Sequence, residues 1–378
     1  MAMNISKFAI CNLQWSICNC RLWPAAVAVV LLGLFCQTPA TAAPFVPARD
    51  PQCVAFAPGG TTVATACSGL SDETFPPRPH PDVRKCGVIA VWDVATGKRL
   101  FRFETYGDIT RLAFSADGTL LAASRLFATS DGVTLHEVRL WDVTSGRVVK
   151  TLDRCHAFDF SPDGQWLAVL SRSKCVVYEL ADWTKERQIK PLGGAISVAF
   201  AADSTSLCGI VGADGKFVIR RCDLASGEAK QQSLPLDEPF YTLAVAADGA
   251  TIATGHDRGQ VVVWNYPDLD VRTRLRTGEP GIAHPFYSLD GRYLGTGCQD
   301  NGDVIIWDPR TSQELYRYTF QKGSFRPHYQ RQKDERIRPE EDPTRFCFSP
   351  DGNAFFVGCY GGIVRDVASG QEIKRFGD

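Results

Sequence analysis

Six histidines and fourteen cysteines carry most of the chemical reach of this 378-residue chain. His80, His136 and His328 fall in three segments that interrupt an otherwise regular pattern, with Cys86 close to the first. Three imidazoles can complete a zinc site. Segments this long impose no geometry on them, so solvated side chains are expected. His256 precedes Asp257 in a short turn, where a structural hydrogen bond is expected rather than a catalytic pair. Ten cysteines lie beyond residue 42, and no two have CxxC spacing, which argues against a zinc cluster or a thioredoxin-like centre. Most of them sit inside apolar runs and read as small buried hydrophobes. There is no GxSxG elbow and no phosphate-cradling glycine loop. No catalytic residue, metal site or cofactor is therefore expected, and the chain reads as a non-enzyme.

The interrupting segments are residues 70–87, 125–137 and 321–344. The last opens with Lys322, Phe325, Arg326, His328, Tyr329 and Arg331 and ends in Glu340-Glu341-Asp342. Arginine and tyrosine are favoured at protein interfaces, and long loops inside a compact repeat are usually functional or disordered. Arg78, His80, Phe325, Arg326, His328, Tyr329 and Arg331 are the candidate binding residues, for a protein or peptide partner. Six basic and five acidic residues in 321–344 nearly cancel, so self-pairing in a solvated loop competes with that reading.

The elements that must hold these loops recur along the chain. Leu112 to Leu152 reads LAFSADGTLLAAS, a variable loop, then VRLWDVTSGRVVKTL. These are apolar runs joined at Asp117-Gly118 and Thr144-Ser145-Gly146, the pattern of four short antiparallel strands a, b, c and d. The same pattern returns over about 53–103, 109–152, 155–190, 195–234, 240–275, 282–320 and 344–376. The residue closing strand c is Trp92, Trp141, Tyr178, Cys222, Trp264, Trp307 and Arg365, at gaps of 37 to 58 residues around a base in the low forties. A period of about 40–45 residues with four strands and a Trp-Asp dipeptide is the signature of a propeller blade.

Trp92-Asp93, Trp141-Asp142, Trp307-Asp308 and the near match Trp264-Asn265, with the Ser-Pro-Asp-Gly turns at 161–164 and 349–352, resemble the WD-repeat family over residues 53–376. The resemblance implies an all-β fold, a seven-bladed β-propeller of four-stranded antiparallel blades, following an N-terminal signal or anchor segment. It also implies a rigid scaffold for binding proteins. Two departures stand out. The Gly-His pair that precedes strand a in such repeats is absent, so the buried His-Ser-Asp-Trp network is expected to be partial. Pro44 and Pro47 make the N-terminal stretch a poor latching strand, so ring closure is expected to rest on packing between blades one and seven. In this topology the b–c loops and the d-to-a connections emerge on one rim, which places the three interruptions as a wall over blades seven, one and two.

The first 42 residues are of another class. Arg21, an apolar run from Leu22 to Cys36 and Ala40-Thr41-Ala42 form a secretory signal cleaved after Ala42, followed by a linker over 43–52. The run is short of the ~20 residues a spanning helix needs; the alternative is an uncleaved anchor at 22–36, which would be the chain's membrane attachment. A periplasmic, cell-envelope or extracellular, monomeric protein is expected. Export would permit one or two disulfides. Beyond the leader 39 basic residues face 42 acidic ones, which argues against nucleic acid as a partner. A rival from another class is an exported propeller enzyme of the quinoprotein type, or a propeller binding a small molecule or metal. Trp92 to Lys98 faintly resembles the turn of quinoproteins, whose tryptophan docks the neighbouring blade, but Phe101 stands there in blade one and no aromatic does in blade two.

Overall fold

The computed structural model describes residues 53–70, 86–93, 99–128, 133–184, 186–213, 216–233, 240–278, 281, 283–298, 304–318, 346–349, 351–357 and 363–375. They form seven four-stranded antiparallel sheets, each built from one continuous stretch of chain in the order a-b-c-d. Blade one is β1 (Cys53–Phe56), β2 (Thr62–Leu70), β3 (Cys86–Asp93) and β4 (Arg99–Tyr106); blade two is β5 (Asp108–Phe114), β6 (Leu120–Ala128), β7 (Thr134–Asp142) and β8 (Val148–Asp153). Blade three is β9 (Cys155–Phe160), β10 (Trp166–Ser171), β11 (Cys175–Glu179) and β12 (Glu186–Gln188); blade four is β13 (Ser197–Phe200), β14 (Ser206–Ala213), β15 (Lys216–Asp223) and β16 (Ala229–Ser233). Blade five is β17 (Phe240–Val245), β18 (Thr251–His256), β19 (Gln260–Asn265) and β20 (Val271–Arg276); blade six is β21 (Ala283–Tyr287), β22 (Leu294–Cys298), β23 (Val304–Trp307) and β24 (Glu314–Tyr318). Blade seven is β25 (Phe346–Phe348), β26 (Ala354–Val357), β27 (Ile363–Asp366) and β28 (Glu372–Arg375). This is the expected seven-bladed propeller.

The turn chemistry explains why so short a repeat folds. In the a–b turns Ser115, Ser161, Ser288 and Ser349 each donate a hydroxyl hydrogen bond to the aspartate two residues on, at 2.5–2.6 Å. The same serine oxygen accepts the N–H of the first residue of strand b, as from Leu120 at 2.9 Å. In the c–d turns it is the aspartate after the strand-c marker that acts. Asp142 takes the Ser145 N–H at 2.6 Å and its hydroxyl at 2.7 Å; Asp223 with Ser226 and Asp366 with Ser369 repeat the arrangement. Asp223 and Asp366 follow Cys222 and Arg365, so the turn persists where the tryptophan is lost.

The cores lie between blades rather than within them. Ile89, Val91 and Phe103 of blade one meet Leu112, Phe114 and Trp141 of blade two, and the next junctions repeat the scheme through to Ile306 against Phe355. A strand covered on both faces must be apolar throughout, as β18 and β19 are. The innermost strands run side by side around the ring, and β1 also lies against β25, so blades seven and one meet. Residues 44–52, whose role in closure was weighed above, lie outside the described residues. Arg111 of β5 donates to Asp159 of β9 at 2.8 Å, and the other Asp159 oxygen accepts the Phe200 N–H of β13 at 2.8 Å, which joins three inner strands. Burial pushes the Asp159 carboxyl up, against the pull of Arg111 and that N–H.

Among the described residues, two strand-c tryptophans are hydrogen-bonded to strand b. Trp264 Nε1 donates to Thr254 Oγ1 at 2.8 Å, and Thr254 Oγ1 lies 3.0 Å from His256 Nε2. Trp307 Nε1 donates to Thr296 Oγ1 at 3.0 Å. The partner in each case is a threonine on strand b, directly beneath the ring.

Candidate interaction rim

Antiparallel order places the b–c connections, the ends of strand d and the starts of strand a on one rim. In blades one, two and four the b and c strands run eight or nine residues. In the other four blades they run four to six. The longer hairpins carry the rim outward over blades one, two and four.

Blade two corrects one expectation. Residues 125–137 are not an insertion: Arg125 pairs with Glu137, Leu126 with His136, Phe127 with Leu135 and Ala128 with Thr134. Charged residues at buried positions disguised the strands. Arg125 and Glu137 are each 6% exposed and form a two-pronged ion pair, Nε to Oε1 at 2.8 Å and Nη2 to Oε2 at 2.7 Å. The remaining Arg125 Nη1 donates to Thr105 of β4 at 3.0 Å, which ties the hairpin to blade one. Arg139 Nε lies 3.0 Å from Glu137 Oε1, within ion-pair range but not aligned as a hydrogen bond. Burial, then the neighbouring Arg125, hold the Arg139 guanidinium below its ordinary pKa. The Arg125 guanidinium also sits 5.0 Å from the Phe127 ring, and Val133 at the hairpin tip is 48% exposed. With Nε, Nη1 and Nη2 each engaged, Arg125 positions the rim.

His136 therefore stands on β7, its ring 6.0 Å from that of His156 on β9 and edge-on to it. His80 and His328 lie outside the described residues, as do Arg78, Phe325, Arg326, Tyr329 and Arg331, so the expected grouping is not described. Among the described residues no three His, Cys, Asp or Glu side chains stand close enough to hold a metal ion. Cys155, Cys175, Cys208, Cys222 and Cys347 form no disulfide. Burial pushes their thiols up, to about 11 for Cys155 and Cys222 and about 12 for the other three, where the nucleophilic thiolate is suppressed. His256 is fully buried, and burial followed by nearby Arg274 lowers its pKa to about 4. The structural hydrogen bond expected of it exists, to Thr254.

Sequence reasoning missed how the blades are latched at the opposite rim. Phe101 of β4 covers Gly146 in the c–d turn of blade two, where a Cβ would come within 2.7 Å of the ring, and Tyr316 of β24 covers Gly370 of blade seven in the same way. Elsewhere Lys150 reaches the Trp183 ring at 5.7 Å, Lys230 reaches Asp268 at 3.4 Å and Arg272 donates to the Arg310 carbonyl at 3.0 Å. The signal was available as one outward side chain near the start of strand d in blades one, two, four, five and six.

No family model matches the chain. It is 28% identical over 194 residues, 48% of its own length, to the WD repeat-containing protein SL1-17 of Schistosoma mansoni, of which that covers 59%. It is 28% identical over 151 residues to MST50-interacting protein 11 of Pyricularia oryzae and 27% identical over 151 residues to the small ribosomal subunit protein RACK1 of Neurospora crassa, covering 35% of this chain and 45% of the relative in both cases. The chain thus spans about half the length of these relatives. The chain is thus a seven-bladed β-propeller with Trp-Asp dipeptides at the ends of several c strands, and it is similar over about half its length to a WD repeat-containing protein.

Proposed function

We propose that this protein is a non-catalytic platform that binds a protein or peptide partner through the rim over blades seven, one and two. The observation that carries the reading is the Arg125–Glu137–Thr105 cluster, which fixes the raised hairpin of blade two against blade one. A rim held rigid in advance lowers the ordering cost of association. The relatives agree in kind by name, one an interacting protein and another a ribosomal subunit protein. The described thiols and His256 are held in forms that neither attack nor accept protons readily, which favours a binding role over the propeller-enzyme alternative. The segments 70–87 and 321–344 would then bring Arg78, His80, Phe325, Arg326, His328, Tyr329 and Arg331 to this rim.

The test is affinity capture with the tagged full chain and with a variant lacking residues 322–341. A partner held by the full chain and lost from the variant supports the rim; equal capture by both overturns it. Export is the second part of the proposal and rests on residues 22–42. N-terminal sequencing of the native protein should begin at Ala43; a native chain retaining residues 22–36 would mean an anchor instead.

A further inference from the structure

The outer strand of blade five differs in charge from its counterparts. β20 reads Val-Arg-Thr-Arg-Leu-Arg, with Arg272, Arg274 and Arg276 all exposed. Among the outer strands β4, β8, β12, β16, β24 and β28, each either carries an acidic residue or has a single cation. β20 alone has three cations and no acid, in a chain of net charge −1. Arg274 and Arg276 stand opposite Val262 and Gln260 of β19, so they share one sheet face, which is the face packed toward blade four. Next to them is Arg258, exposed at the tip of the b–c turn, where the Gly259 carbonyl accepts the Thr277 N–H at 2.9 Å. Arg258 has φ +56°, a left-handed conformation that is strained for a non-glycine residue. Among the described residues no ion pair engages Arg258, Arg274 or Arg276, while Arg272 is used in the link to Arg310.

A strand at the margin of a sheet offers outward N–H and C=O groups to a further strand. In β20 that margin is flanked by cations at every second residue. An added antiparallel strand would place its own alternate side chains about 4.5–5.5 Å from them, on the same face. We propose that the outer edge of blade five binds an acidic segment in extended conformation by strand addition, its alternate carboxylates paired with Arg274 and Arg276 and its end met by Arg258. The period of two selects a peptide over nucleic acid, whose phosphates follow no such alternation and present no backbone donors for the edge. This surface is separate from the loop-bearing rim over blades seven, one and two, and it goes beyond the function proposed for that rim.

The probe is a fluorescein-labelled peptide of alternating Glu and Val, titrated by anisotropy into the full chain at low salt. Wild type should bind it; Arg274→Glu with Arg276→Glu should weaken binding by about tenfold or more, and Arg274→Gln with Arg276→Gln by less. Circular dichroism checks that the exposed substitutions leave the fold intact. The same peptide N-methylated at alternate amides should lose binding, and the variant lacking residues 322–341 should keep it, so this surface and the loop rim fail separately. No binding by wild type, equal binding by the charge-reversed variant, or equal binding of the N-methylated peptide would each overturn strand addition. Binding of a single-stranded oligonucleotide without binding of the peptide would overturn it as well.

Discussion

The guanidinium of Arg365 lies 3.5 Å from the centroid of the Tyr318 ring. Arg365 occupies the strand-c position where blades one, two, five and six have tryptophan, and Tyr318 belongs to β24 of the preceding blade. Its Nη1 donates to the Tyr316 hydroxyl at 3.0 Å and to the Gly370 carbonyl at 2.7 Å. Tyr316 in turn donates to the same carbonyl at 2.5 Å. A cation over one ring and a hydrogen bond to another replace the indole packing, so the weakest repeat by sequence is fastened to its neighbour by polar contacts.

Gly370 is the hinge of that arrangement. Its φ is +65° and a Cβ there would overlap the Tyr316 ring. Gly370→Ala should cost about 2–4 kcal/mol, from the left-handed backbone and the overpacking together. Gly212→Ala is the control: it sits in β14 with open space around its Cα and should be neutral or stabilising by about 0.5–1 kcal/mol. Urea unfolding of the two variants beside wild type reads both values.

The Arg125–Glu137 pair predicts a non-additive cycle. Removing one partner strands a buried charge, so Glu137→Met or Arg125→Met alone should cost about 3–5 kcal/mol. The double variant should come back to within ~1–2 kcal/mol of wild type, since an apolar pair no longer needs the desolvated charges to match. Additive losses in a double-mutant cycle would show that the two side chains do not act as a unit. The loop-bearing rim should lose partner affinity in the double variant even where stability is restored, because Thr105 no longer has a charged donor to hold.

Much of this was legible in the sequence, and the reasons are local. Ser161-Pro-Asp-Gly164 and Asp142-Val-Thr-Ser145 specify their turns through side-chain to backbone bonds a few residues apart, so the repeats announced themselves even where Trp gave way to Cys222 or Arg365. What failed depends on contacts between distant residues. Arg125 and Glu137 looked like loop residues because their burial is compensated by each other and by Thr105, twenty residues back in another blade. The Thr254 bond of His256 is set by strand geometry, which puts residues two apart on the same face, and not by adjacency along the turn.

One turn position shows how packing decides the sign of a substitution. Among the described c–d turns the fifth residue has positive φ, and it is Gly146, Gly227 and Gly370 in blades two, four and seven but Trp183 (φ +62°), Leu269 (φ +63°) and Ser312 (φ +62°) in blades three, five and six. Ser312→Gly should stabilise by about 0.5–1 kcal/mol, the relief of left-handed strain exceeding the added freedom of the unfolded chain. Leu269→Gly relieves the same strain but removes a fully buried side chain from the core shared by blades four and five, so it should destabilise by about 2–4 kcal/mol. Thermal unfolding should move the two variants in opposite directions.

His256 predicts a pH dependence of stability. Its folded pKa of about 4 lies below the ordinary value of 6.5, because burial disfavours the imidazolium and Arg274 adds repulsion. Nε2 of the neutral ring lies 3.0 Å from the Thr254 hydroxyl oxygen, which also receives the Trp264 N–H. Below pH 6.5 the unfolded chain takes up a proton that the folded chain refuses until about pH 4, so stability falls as pH drops through that window and is fully present above it. Between pH 7.5 and 5 the loss from this one residue should be about 2 kcal/mol. His256→Gln removes the titration while keeping a hydrogen-bonding side chain, so its unfolding free energy should change less over the same range, and the difference between the two pH profiles isolates His256 from the other histidines. Parallel profiles for wild type and variant would mean that His256 takes up its proton equally in the folded and unfolded chains, which a ring buried against Trp264 and Thr254 should not do.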